Sequence, residues 1–274
     1  MYASRRRFLC AALGLGAGAA ALPWLSAGRR TMSPSSPQNG SPVMPLHTLR
    51  QSGRALGAEV ELTVLHASPA EGQAALAAAF AELEQVEDLM SIYRPGSQIS
   101  RLNRLGVLDD PHPYVLHVLR QAADVSRQSE GAFDVTVQPL WKLFSAASKA
   151  DRLPTEAEIA SARQAVDWRR LEITDRQVRL QGEGMAVTLN GIAQGFATDR
   201  VLNVLQNHGV EHALINAGEL ANLGRKDVDR PWTVGIQHPR HSDAYIALAE
   251  LDGRRLATSG DYATHFSADG RLNH

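Results

Sequence analysis

Cysteine is almost missing from this 274-residue chain, Cys10 being the only one. It stands at the start of an apolar run, where a lipoprotein cysteine would stand at the end, so lipidation is not expected. Once the N-terminal segment is removed no cysteine remains. That excludes disulfides, thiolate metal sites and a cysteine nucleophile. A surplus of charge is missing too: 28 Lys and Arg stand against 29 Asp and Glu. A formal net charge of -1 makes no global electrostatic case for nucleic acid. No internal repeat is visible. Gly14, Gly16 and Gly18 mimic a dinucleotide-binding loop, but no strand precedes them and no helix-binding unit follows.

What is present begins with an export pattern. Ser4-Arg5-Arg6-Arg7-Phe8-Leu9 fits the twin-arginine motif, an apolar run from Phe8 to Leu25 follows, and small residues stand near Ala27. Residues 1–30 read as a twin-arginine signal segment rather than as fold. The twin-arginine translocase and a periplasmic location are implied, with inner-membrane association if the segment stays uncleaved. Leu25-Ser26-Ala27 is a poor cleavage site. Residues 31–45, rich in Ser, Pro, Gly and Asn, read as a flexible linker. The folded part is expected over 46–274.

Within it, Ala58 to Leu65 alternates apolar and polar as a half-buried strand does. Ser68-Pro69-Ala70-Glu71 opens a helix to about Leu89, with Leu76, Phe80, Leu83, Val86 and Met90 on one stripe. Further helices are predicted over Pro113–Ser129 and from Gly191 to about Asn207. Short strands are predicted at Ile173-Thr174, Val178–Leu180, Ala186–Leu189, Ala213–Asn216 and Trp232–Gln237, and a strand-turn-strand stretch at the C-terminal end. Strands and long helices in no strict alternation point to an α+β fold.

Four stretches are not explained by packing alone. Met90-Ser91-Ile92-Tyr93-Arg94-Pro95-Gly96-Ser97 places an aromatic ring, an arginine and hydroxyls beside a sharp turn. It suits either a stacked flat ring with an anion, or a helix cap with a surface turn. In Gly131-Ala132-Phe133-Asp134-Val135-Thr136-Val137-Gln138-Pro139-Leu140, Asp134 stands in a strand-like stretch and needs a partner, either a backbone donor or a ligand hydroxyl. Thr188-Leu189-Asn190-Gly191-Ile192-Ala193-Gln194-Gly195-Phe196 runs from strand through glycine into helix, a geometry suited to a pyrophosphate or to plain packing. Ala257-Thr258-Ser259-Gly260-Asp261-Tyr262 suits phosphate or metal chemistry, or a Ser-Gly turn.

In this order the stretches resemble the ApbE family, the FAD:protein FMN transferases. The runs that carry the resemblance are MSIYRPGSQISRLN, GAFDVTVQPL, NGIAQGFATD, INAGEL, WTVGIQHP and TSGDY, covering about Leu49 to His274. The resemblance implies a single domain with mixed sheets and several long helices, and a flavin cleft between two subregions. It implies FAD as substrate, with Mg²⁺ at the pyrophosphate. A threonine hydroxyl of a target flavoprotein attacks the FMN-side phosphorus, and AMP leaves. By motif, Leu56, Tyr93, Ala132, Phe133, Asp134, Thr188, Gln194 and Thr258 would line the flavin site. His274 and Asp261 would be catalytic, and Gly191 would offer its backbone to the metal. Leu56, Ala58, Thr188 and Gln194 depart from the family's usual Met, Thr, Asp and Lys. Gln194, Glu219 and the twin-arginine motif resemble a branch associated with nitrous-oxide reductase maturation, which implies a periplasmic FMN-acceptor flavoprotein, of maturation or electron transfer, as partner.

In the family the histidine matched by His274 is followed by D-P-x-T-G and A-D-A-x-S-T-like segments that hold the metal. The domain is therefore expected to be C-terminally incomplete and the chain as written inactive. The alternative reading is a non-catalytic periplasmic FAD-binding or carrier protein.

Overall fold

A computed structural model describes residues 45–258 apart from 228 and 242, and the backbone of 266–268 and 271–273. Residues 1–44, Asp261 and His274 lie outside the described residues, and with them the signal segment, nearly all of the linker and both expected catalytic groups.

The described residues open with a hairpin, β1 (His47–Ala55) and β2 (Ala58–His66), joined by Leu56 and Gly57. Helix α1 (Pro69–Met90) follows. Ser68 caps it by accepting the Glu71 N–H at 3.3 Å, Pro69 sits where its missing N–H costs nothing, and Ser91 closes it. Its buried stripe includes Leu76, Leu83, Val86 and Met90. Then come α2 (Gln98–Leu105), β3 (Val107–Asp109), α3 (Pro113–Gln128), α4 (Gln138–Lys149), α5 (Glu156–Arg163), β4 (Leu171–Ile173), β5 (Gln177–Leu180) and α6 (Ala193–Asn207). Strands β6 (His212–Asn216), β7 (Leu220–Leu223), β8 (Trp232–Gln237), β9 (Tyr245–Leu251), β10 (Phe266–Ala268) and β11 (Arg271–Asn273) complete the described elements.

The principal sheet has the order β1-β2-β6-β7. Alternation along β2 and β6 sorts its faces. Val60, Leu62, Val64, Ala213 and Ile215 join α1 and α6 in the main core, while Leu65 and Leu214 meet Trp232, Val234 and Leu251 of the β8–β9 hairpin on the other side. A smaller sheet, β3-β5-β4, lies beyond α2 and α3.

The α+β class holds. Every pairing among the described strands is antiparallel, in place of the mixed sheets expected. Short connections account for the pairs β1–β2, β4–β5 and β6–β7, since turns as short as Leu56–Gly57 can only reverse a strand, whereas β2–β6 and β3–β5 are antiparallel across long helical connections. Two local expectations are corrected. Val135–Val137 is a 3-10 turn leading into α4, not strand, because Asp134 caps it. Residues 186–189 form no ladder. Instead Asn103 takes a strand's part, its Oδ1 accepting the Val187 N–H at 2.6 Å and its Nδ2 donating to the Val187 carbonyl at 2.8 Å.

Candidate functional site

Two hollows meet at Gly191. The smaller, of about 700 Å³, lies between the Gly131–Asp134 loop, the Val166–Arg170 stretch and the Thr188–Gly191 segment. The larger, of about 850 Å³, lies between α3 and the first turns of α6, with Glu219, Arg255 and Ala257 on its edge. Gly191 lines both.

The smaller hollow gathers Ala132, Phe133, Asp134, Thr188 and Gly191, five of the residues expected from sequence. The loop reaches it because Gly131, at φ 87°, takes a left-handed conformation after α3. Phe133 lies against the glycine: a Cβ on Gly191 would come within 3.3 Å of Phe133 Cε2. Thr188 is fastened to the loop through its N–H, which donates to the Val135 carbonyl at 2.8 Å.

Asp134 is occupied by its own chain. Its Oδ1 accepts from the Thr136 N–H at 2.8 Å and the Thr136 hydroxyl at 2.7 Å, and its Oδ2 accepts from the Trp168 N–H at 3.1 Å. The Asx-type turn is thus present, and the carboxylate also latches the opposite wall. Trp168 is a wall residue not anticipated from sequence. Its ring carries the Arg169 guanidinium at 4.7 Å, and its indole nitrogen is buried without a partner among the described residues. The run Asp167-Trp168-Arg169-Arg170, an aromatic among basic residues, was the available signal.

The first turns of α6 form the seam between the hollows. Ile192 caps the helix without any side-chain hydrogen bond, so its start carries the partial positive charge of backbone amides. A Cβ on Gly195 would meet nothing within 4 Å.

Leu56 and Gln194 come together on the inner side of this helix start rather than in a hollow. The Gln194 Nε2 donates to the Leu56 carbonyl at 3.5 Å and packs on Gly218. Tyr93 lines neither hollow, and its side chain stands largely in solvent, 71% exposed. Its neighbours in the MSIYRPGS run do structural work. Ser97 caps α2 and donates its hydroxyl to the Ser91 carbonyl at 2.5 Å, and Ser100 donates to the same carbonyl at 3.1 Å. Arg94 pairs with Glu84, Glu87 and Asp88, and hydrogen bonds to Glu84 and then Asp88 push its guanidinium further above its already high range. The cap-and-turn account fits these neighbours. Thr258 is half-buried beside Ala257, two residues past an antiparallel bridge between Leu220 and Leu256.

The larger hollow has a charged back wall. Glu82 Oε1 accepts from the Tyr114 hydroxyl at 2.9 Å and from Arg200 Nε at 2.7 Å, and Arg200 lies 4.6 Å over the Tyr114 ring. Burial, followed by that hydrogen bond, raises the phenol above its usual range. Phe196 meets Tyr114 edge-on at 5.3 Å.

The model of the ApbE family matches residues 56–274. The chain belongs to the ApbE family. A curated FAD:protein FMN transferase of Vibrio cholerae is 33% identical over 202 residues, 70% of this chain and 60% of the relative. The chain thus spans less than two thirds of that relative's length. The apo crystal structure of the Pseudomonas stutzeri flavinyl transferase ApbE superposes with a TM-score of 0.72 at 28% identity, covering 85% of this chain and 75% of that one. An ApbE protein of Thermotoga maritima, at TM-score 0.74 and 24% identity over 83% of this chain and 75% of its own, shares the fold. For an ApbE chain, the gathering of the GAFD loop with the NGIAQG helix start is what links the motifs in space, and Asn103, the last residue of the MSIYRPGSQISRLN run, is the fastening that sequence alone did not assign.

Proposed function

We propose that this chain binds FAD and transfers its FMN part to a threonine hydroxyl of a partner flavoprotein, releasing AMP. The observation that carries the reading is the convergence of Ala132, Phe133, Asp134 and Thr188 on one hollow beside the uncapped start of α6. A ring and a loop at one side of Gly191 suit a flavin, and backbone amides at the helix start suit the pyrophosphate. In the transfer, the threonine oxygen forms a bond to the FMN-side phosphorus as the bond from that phosphorus to the bridging oxygen breaks. AMP leaves with the bridging oxygen, and the hydroxyl proton passes to a base or to water. The helix start offsets negative charge that repels the incoming oxygen.

Mg²⁺ enters this reading on the resemblance alone. Among the described residues no group of three or more His, Cys, Asp or Glu side chains is arranged for a metal ion. Gly191 offers only backbone, which does not by itself meet the near-octahedral oxygen shell that Mg²⁺ requires. The acceptor is a periplasmic flavoprotein, and export follows the twin-arginine motif at Arg5–Arg7.

The test has two steps. Flavin fluorescence follows titration with FAD and, separately, with FMN. The chain is then incubated with FAD, Mg²⁺ and a periplasmic FMN-acceptor domain, and the acceptor band is inspected for flavin that survives denaturation. The expected result is preference for FAD over FMN; label on the acceptor that is lost when its threonine becomes alanine would establish the transfer and overturn the expectation that the chain as written is inactive. Absence of FAD binding would refute the flavin reading, and binding without label would favour a carrier.

A further inference from the structure

Two of the expected flavin-site residues outside the hollows, Leu56 and Gln194, share one unusual support. Leu56 sits at φ 52° and Gly57 at φ 75°, the left-handed pair of a tight hairpin turn. Glycine adopts that conformation freely, whereas leucine is strained there. The strained peptide is held from α1. Glu87 Oε2 accepts the Leu56 N–H at 3.0 Å, and the same oxygen lies 3.1 Å from Arg94 Nη2. The Glu87 side chain is only 17% exposed, so this charge is sheltered, and Arg94 accompanies it. On the turn's other side the Leu56 carbonyl takes Gln194, whose amide leaves no room for a Cβ on Gly218.

We propose that Glu87 is a positioning residue for the flavin cleft, fixing the Leu56–Gly57 turn against the start of α6. The inference rests on the flavin reading above. Glu84 supplies the control: it pairs with the same Arg94, at 2.7 Å, but the contact to the Leu56 N–H is made by Glu87. If Glu87 served only to balance Arg94, removing either carboxylate would act alike.

The experiment compares the wild-type chain with Glu87→Ala, Glu87→Gln and Glu84→Ala. It reads hydrogen exchange at the Leu56 amide by NMR and the Kd for FAD by flavin fluorescence. Loss of Glu87 should speed Leu56 exchange and raise the Kd by about tenfold, the scale of one charge-assisted hydrogen bond. Glu87→Gln, which keeps an acceptor oxygen, should fall between, and Glu84→Ala should match wild type in both readouts. Equal effects of Glu84→Ala and Glu87→Ala, unchanged Leu56 exchange, or faster exchange with an unchanged Kd would each overturn the proposal. Failure of the wild-type chain to bind FAD would instead overturn the flavin reading on which it rests.

Discussion

Replacing Asp134 with alanine removes three hydrogen bonds at once, two to Thr136 and one to Trp168. Thr136 is fully buried, so its amide and hydroxyl would have to find other acceptors inside the protein. Hydrogen bonds to a charged group are each worth about 1.5–3 kcal/mol, but Asp134 is half-buried and water replaces part of each, so about 1 kcal/mol apiece is the better scale. The sum, about 3 kcal/mol, corresponds to a fall in Tm of roughly 6–12 °C for a domain of this size. Asp134→Asn should fall between wild type and alanine, because one face of the amide presents donors to a donor, whichever way it is turned. Thermal unfolding followed by Trp fluorescence checks both, and Trp168 reports on its own wall. An Asp134→Ala chain that melts within experimental error of wild type while losing FAD would refute the reasoning and make Asp134 a ligand contact first.

Two further outcomes follow from local geometry. Glu158 accepts from Arg152 and from the backbone and hydroxyl of Thr155, and these, Arg152 first, hold its carboxyl down at about 2. A depressed carboxyl contributes stability above the ordinary carboxylate range and loses it as pH falls toward 2, so amide protection at the start of α5 should persist through mild acid and vanish only there. An NMR midpoint for Glu158 like that of free glutamate would contradict this. Gly195→Ala should raise Tm by a few degrees, since alanine favours a helix over glycine by about 1 kcal/mol and the new Cβ would meet nothing within 4 Å. A lower Tm would show that the site is more crowded than described.

Much of the frame is legible in the sequence because local rules and packing agree there. Ser68 and Glu71 mark α1, alternation marks β2, and the stripe Ala193, Ala197, Val201 and Leu205 marks α6. Helix α4 was hidden by Val135-Thr136-Val137, whose β-branched side chains read as strand while Asp134 and Pro139 in fact open a helix. Helix α5 carries a legible sign, the capping box of Thr155 and Glu158. The segment at 186–189 misled for another reason: it is extended, but its partner is the side chain of Asn103, 84 residues away from Val187. The resemblance put Phe133 and Gly191 at one site, but periodicity carries no information on a contact so distant in the chain. Tyr93 shows the converse, since a place in a motif run did not place its ring in either hollow.

Gly191 lines both hollows, with Phe133 beside it in one and the start of α6 in the other. Substitutions in the two hollows should therefore not be independent in their effect on a ligand that reaches both. Phe133 lies beside Gly191, and Gly191 leads directly into Ile192, whose carbonyl takes the Phe196 N–H at 3.1 Å. Double-mutant cycles pairing Phe133 with Phe196 should return a coupling energy well away from zero, although the two side chains belong to different cavities.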